Sequence, residues 1–223
     1  MLLQINKKIL FYLFIFFLLG TFNNQKIYSL GLPKITEIEI TGLDEDNNLQ
    51  LLKELTFLKI YNLFFLNKEE IKEILNSINI IDEYFVTKKY PSSLKIEIFE
   101  TKSLAYTKKK EKILILGSNG KFFVNEKKKL DIPFIFGNFE PENFFEFKKI
   151  IDQSKLPYSN IKKFYSFKSG RWDLEVSSGK LIKLPNSEIK NALDLCFEIL
   201  NDDKFKNVKI IDLRQSKKLI TNE

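Results

Sequence analysis

Fourteen consecutive residues near the start of the chain, Ile9 to Phe22 (ILFYLFIFFLLGTF), contain no Asp, Glu, Lys, Arg, Asn or Gln. Such a run is stable in hydrocarbon and unfavourable in water. It predicts that everything after it folds on one side of a membrane that this segment meets. A spanning helix uses roughly 20 apolar residues to cross about 30 Å of hydrocarbon, and at about 1.5 Å per residue this run covers only about 21 Å. That length, with Lys7 and Lys8 ahead of it, suits the apolar core of a secretory signal peptide. Against cleavage, no small-x-small site follows closely, and the nearest, Ile27-Tyr28-Ser29, has a bulky Ile where a small residue is needed. The lysines on one side, and Thr21, Asn23 and Asn24 on the other, can reach the two interfaces if the bilayer thins locally. The segment alone leaves a retained anchor and a cleaved signal open. Both readings hold residues 1–8 in the cytoplasm and send the body of the chain across.

The residues that follow are enough for one large or two small domains. A hydrophobic content of 44% supports a packed core rather than disorder. The net charge of +7 invites a nucleic-acid partner, but the lysines come in scattered twos and threes, such as Lys108 to Lys110 and Lys127 to Lys129. A binding footprint needs them clustered on one face, so solvated loops and strand faces are the better reading. With Cys196 as the single cysteine, no intrachain disulfide can form. With no histidine, Ser-His-Asp and Cys-His catalysis and His-ligated metal sites are excluded. The adjacent acids Glu97 with Glu100, and Asp202 with Asp203, fall on a strand face and in a turn, and no acid, base and nucleophile set accompanies them.

After a polar linker at 23–34, Ile35 to Gly42 alternates around Ile38 and Ile40, a half-buried strand. Leu51, Leu52, Leu55 and Leu58 within Asn48 to Lys59 have helical spacing, and Tyr61 to Leu66 is an apolar connector. Asn67, with Glu70 three residues on, has the spacing of a reciprocal N-cap for a helix with the stripe Ile71, Ile74, Leu75 and Ile78. Strands follow at Ile80 to Lys88 and Leu94 to Phe99, joined by a turn at Tyr90 to Ser93. A strand-helix-helix-strand-strand unit of three strands and two helices buries both stripes. The second half reads as an antiparallel sheet carrying two helices. A hairpin turns at Gly117-Ser118-Asn119-Gly120, and Asp131 to Phe134 ends a loop. A helix runs over Asn143 to Ile151. A meander uses Lys162 to Phe167, Arg171 to Val176 and Lys180 to Leu184, with Trp172, Leu174 and Val176 on one face and Arg171, Asp173 and Glu175 on the other. Asn186 or Ser187 caps a helix with the stripe Ile189, Leu193, Cys196, Phe197 and Leu200. Strands at Asn207 to Arg214 and Lys217 to Thr221 close the chain.

These pieces resemble, in order, the bacterial cell-division family FtsQ, also called DivIB. The matching runs are Ile38-x-Ile40-Thr41-Gly42, Asn62 to Asn67, Val86 to Ile96 around Pro91, Ala105, Asn119 to Phe123, Ile132 to Gly137, Arg171-Trp172-x-Leu174-x-Val176-x-x-Gly179, and Ile211 to Arg214. The chain departs from the family pattern at Lys88, where Arg is usual, at Phe99 to Ser103, which lacks the usual Arg and Pro, and at Gln215, where an aromatic often stands. The resemblance implies an α+β chain: a cytoplasmic tail (1–8), a retained membrane helix (9–22), a linker (23–34), a POTRA-like βααββ domain (35–101) and a β domain (102–223).

It also implies a non-enzymatic scaffold without cofactors or metals, held by a single pass in the inner membrane at the division septum. The partners implied are FtsB/FtsL-like division proteins and other divisome membrane proteins, besides the bilayer itself through residues 9–22; no nucleic acid is implied. Contact would be made by strand addition, in which an exposed sheet edge offers unpaired N–H and C=O groups to an extended peptide. By position, the binding residues are Arg171, Arg214, Gln215, Lys217, Lys218, Leu219, Ile220 and Thr221. The rival reading is an exported chaperone or transport module with a POTRA-like unit and a cleaved signal. The two separate in cell fractionation: an anchor leaves a full-length product in the membrane fraction, whereas a shorter, soluble product marks cleavage.

Overall fold

The computed structural model describes residues 7–21, 31, 33–124, 129–215 and 220–222. The apolar run forms helix α1, Lys7–Thr21, with large apolar side chains exposed all along it; Phe22 lies outside the described residues. At 15 residues α1 covers about 22 Å, and no helix among the described residues is long and apolar enough to cross a membrane. The chain divides into two compact units, one of residues 1–73 with 84–98, the other of residues 74–83 with 99–223.

The first unit is built on strand β1 (Glu37–Thr41), helix α2 (Glu45–Glu54) and the larger parts of helix α3 (Lys68–Ser77) and strands β2 (Ile81–Lys89) and β3 (Ser93–Glu100), whose residues 74–77, 81–83 and 99–100 belong to the second. The sheet order is β1-β3-β2, with β1 parallel to β3. Alternation places Ile38, Leu94, Ile96 and Ile98 in the core, as the sequence predicts. The Asp44 carboxylate caps α2 by accepting from Asn47 N at 2.9 Å, and a 3-10 turn at Thr56–Ile60 carries the stripe onward so that Leu51, Leu55 and Leu58 are all buried. Asn67 caps α3 by accepting from Glu69 N at 3.0 Å, two residues on rather than the three that its spacing with Glu70 suggests. Gly42 ends β1 at φ +109°, and a Cβ there would lie 1.8 Å from the Ile98 carbonyl oxygen, so a side chain cannot be accommodated.

The second unit holds strands β4 (Ser103–Lys109), β5 (Lys112–Gly117), β6 (Phe122–Phe123) and β7 (Phe134–Phe136), helix α4 (Pro141–Asp152), strands β8 (Ile161–Ser166), β9 (Trp172–Val176) and β10 (Leu181–Lys183), helix α5 (Ile189–Leu200), and strands β11 (Ile210–Asp212) and β12 (Ile220–Asn222). They form one nine-stranded sheet in the order β12-β11-β10-β9-β8-β7-β4-β5-β6. The sheet is mixed, which corrects the expectation of an antiparallel one. β4 with β7, β7 with β8 and β10 with β11 are parallel; in the last two pairs a helix, α4 or α5, lies between the strands in the chain and returns it in the same direction. β7 replaces the loop expected at Phe134, and helix α5 starts after Glu188, held at φ 53°, rather than from a cap at Asn186 or Ser187.

The core face of this sheet runs in register through Ile135, Phe164, Leu174, Ile182 and Ile211. It joins Phe144, Phe147 and Ile151 of α4 and Leu193 and Cys196 of α5 in one buried cluster. Trp172 stacks on Phe147 with ring centroids 5.2 Å apart and meets Phe144 and Phe164 edge-on or tilted at 6.0 and 6.4 Å. Burial pushes the Cys196 thiol up to about 12, as expected of a core residue. Phe164→Ala is expected to cost about 3–5 kcal/mol, read as a lower urea midpoint in the fluorescence of Trp172, whose indole touches the deleted ring.

Candidate partner-binding edge

β12 ends the nine-stranded order, and among the described residues no strand lies beyond it. It pairs antiparallel with β11 through Asp212 opposite Ile220, Ile211 opposite Thr221 and Ile210 opposite Asn222. Lys217, Lys218 and Leu219 of the predicted binding stretch lie outside the described residues, whereas Ile220 and Thr221 are on the edge strand and Gln215 is exposed just after β11.

The edge depends on β11, which hangs on β10 by three parallel pairs only. Three features secure that seam. Ile211 and Leu213 are core residues. Leu181 N and Leu213 N donate to the carbonyls of Lys209 and Lys183, each at 2.9 Å. Lys180, buried at the start of β10, donates its ammonium to the carbonyls of Phe205, Lys206 and Val208 at 2.7, 2.7 and 2.6 Å. The strand predicted over Asn207 to Arg214 is therefore shorter, because its first residues form the turn that this ammonium gathers.

The other face of the sheet carries a charged row in register: Asp173 on β9, Lys183 on β10 and Asp212 on β11. Arg171 and Arg214 serve the two carboxylates. Arg171 Nε donates to Asp173 Oδ1 at 3.2 Å, and its guanidinium lies 4.2 Å from the Phe167 ring centre. Arg214 Nε donates to Asp212 Oδ1 at 2.8 Å and Nη2 to Oδ2 at 2.5 Å, a two-point grip. Both predicted arginines thus reach the β9–β11 face already holding a carboxylate of their own. The sequence places Asp173 on the outward face, yet it is 3% exposed, covered by Arg171 and accepting from Leu184 N at 3.2 Å. Neighbouring Glu175 accepts from Lys163 Nζ at 3.0 Å and from the Tyr165 hydroxyl at 3.0 Å.

Two of the acids that the sequence places near another acid make local contacts. Asp202 caps a 3-10 turn through Lys204 N at 3.0 Å, and Glu97 pairs with Lys95 at 2.5 Å. Among the described residues no cluster of three or more His, Cys, Asp or Glu could hold a metal ion. Sequence reasoning missed Lys180, since a lysine opening a strand carries no signal of its burial.

The two buried aspartates titrate in opposite senses. Hydrogen bonds from Arg214 hold the Asp212 carboxyl below its usual range, so its contribution to stability is complete above the unfolded carboxylate value of about 3.9 and is lost as pH falls through the lower folded value. Burial pushes Asp173 up against the opposing pull of Arg171, so its ionised form costs stability that is recovered when acidification protonates it. Carboxyl NMR titration is expected to find Asp173 above and Asp212 below the usual aspartate value. Lys180→Met is expected to destabilise the second unit by about 3 kcal/mol, measured in urea, because three carbonyls lose a charged donor.

Comparison with known proteins identifies both domains. The FtsQ-type POTRA domain matches residues 34–101, and the C-terminal domain of cell division protein FtsQ/DivIB matches residues 105–214. Cell division protein FtsQ of Rickettsia prowazekii is 26% identical over 190 residues, covering 83% of this chain and 70% of that protein. The protein of the same name from Rickettsia bellii is 27% identical over 194 residues with the same shares covered, and that of Bradyrhizobium diazoefficiens is 23% identical over 163 residues, covering 71% of this chain and 48% of that protein. Matched in order by both domain families, and over most of its length by relatives of one name, this chain belongs to the FtsQ/DivIB family of cell-division proteins.

Proposed function

We propose that this cell-division protein is a non-enzymatic scaffold of the divisome that captures an FtsB/FtsL-like partner by strand addition at β12. The single observation that supports this reading is the terminal position of β12 in the sheet. An edge strand presents alternate N–H and C=O groups outward, and an extended partner segment satisfies them without a pocket. Gln215 to Thr221 is the receiving stretch, Lys217, Lys218 and Leu219 included. Arg214, only partly covered by Asp212, stands beside it to meet an acidic partner side chain, with Arg171 two strands further in. Surface ion pairs of this kind add about 0–1 kcal/mol, so the main-chain bonds carry the affinity and the arginines the register.

In the same reading α1 is a retained inner-membrane anchor. Its N-terminus is cytoplasmic, the POTRA-like (35–101) and β (102–223) domains are periplasmic or extracytoplasmic, and the whole gathers at the septum. The apolar side chains exposed along α1 support burial in lipid. Its length deficit is met by local thinning and by the reach of Lys7 and Lys8. Tethering raises the effective concentration of the edge toward partners in the same membrane.

Successive residues of a strand point their N–H groups to opposite sides in the plane of the sheet. Of Ile220→Pro and Thr221→Pro, one therefore removes a donor facing the partner and the other a donor facing β11. Both variants are expected to lose capture of an FtsB-like partner in pull-down, while Trp172 fluorescence reports an unchanged core. Undiminished capture by both would overturn the edge assignment.

A further inference from the structure

The connector Tyr61 to Leu66 is apolar throughout except for Asn62, yet only Leu63 and Leu66 are core. Asn62 Oδ1 accepts from both Phe64 N and Phe65 N at 3.1 Å, closing a tight turn. The Lys88 ammonium donates to the carbonyls of Leu63 and Leu66 at 2.6 and 3.2 Å, pinning the turn from the other side. In this geometry Leu63 and Leu66 are fully or almost fully buried, whereas Phe64 is 55% and Phe65 64% exposed. Tyr90 is 58% exposed, with its ring 4.9 Å from that of Phe64, and Ile60, two residues before Asn62, is 64% exposed. The turn is held firmly, so the aromatic rings are displayed by construction.

This cluster stands where the chain enters the unit. Lys34 is bridged to Asn62, Ile35 N donates to Tyr61 O at 2.9 Å, and Thr36 N to Ser92 O at 2.9 Å. Residues 22–33 alone separate that entry point from the end of α1, a contour of at most about 40 Å. Lys34, Lys59 and Lys68 are exposed around the same turn. Aromatic rings and lysines together are the composition of a surface that sits at the headgroup level of an anionic bilayer.

We propose that Ile60, Phe64, Phe65 and Tyr90 form a membrane-interface patch, which inserts into the headgroup layer and seats the first unit on the bilayer that holds α1. The inference rests on the reading of α1 as a membrane anchor. The anchor limits how far this face can stray from the lipid, the exposed rings gain by leaving water, and the lysines meet anionic phosphate.

The test uses the full chain reconstituted in phosphatidylglycerol-containing vesicles. An environment-sensitive fluorophore is placed in turn on Phe65→Cys and on Phe16→Cys; Cys196 is buried and stays unlabelled. The Phe65 label is expected to shift to the blue and to lose intensity when lipids carry a quencher near the headgroup, and less when the quencher lies at the chain end. The Phe16 label is expected to be quenched most by the deep position. Quenching at Phe16 with none at Phe65 would overturn the patch and leave the anchor standing. Quenching at Phe65 alone would overturn the anchor and, with it, the seating of the patch on a bilayer that holds α1. A blue shift at Phe65 without lipid quenching would mean that protein covers these rings, either a second copy or a partner, and would likewise overturn the proposal.

Discussion

Burial of one face of a nine-stranded sheet beneath two helices is the constraint on which the second unit depends. That face runs from Ile135 through Phe164, Leu174 and Ile182 to Ile211, and no single hairpin in it could cover its own apolar side. Covering it requires α4 and α5, and each helix returns the chain parallel to the strand it left. The parallel junctions β7–β8 and β10–β11 are therefore a consequence of packing. They also put β11, and with it the edge strand β12, at the far end of a short seam.

At that seam the polar groups carry more weight than their number suggests. Lys180 gathers three carbonyls, that of Val208 buried, and a charge buried with full hydrogen bonding is tolerable where an unpaired one is not. Asp173 and Asp212, one raised and one lowered from the usual range, alternate with Lys183 and are closed by Arg171 and Arg214. Both arginines thus hold carboxylates of the strands that lead to β12. Truncating either one would change two things at once, so the proline substitutions on β12 probe binding more cleanly.

Much of this was legible from residues alone. Strict alternation in Leu94 to Ile98 and in Trp172 to Val176 marks one-face burial, and the 3.6-residue stripes of α3, α4 and α5 mark their core sides. Where the signal was weak the reasons are physical. The β4–β5 hairpin turns on Lys110-Glu111, both at positive φ without Gly or Asn, so ordinary turn chemistry gives no warning. β7 is three residues long, too short for a period to register. Asp173 reads as an outward strand residue, and only the arginine beside it and the Leu184 amide turn it into a buried one.

By itself the sequence determined which residues pack into the core: the strand faces, the helix stripes and a core cysteine. Those choices follow from local side-chain chemistry and spacing, and the ordered motifs carried the family as well. The tertiary structure decided strand direction, the burial of Lys180 and Asp173, the pairing of Arg171 and Arg214 with internal carboxylates, and which rings of the Tyr61 to Leu66 connector remain in solvent. Each of these depends on groups brought together from distant parts of the chain. Alternation is identical in parallel and antiparallel strands, and a charge is stable in the interior only when its partners, here carbonyls and amides many residues away, arrive with it.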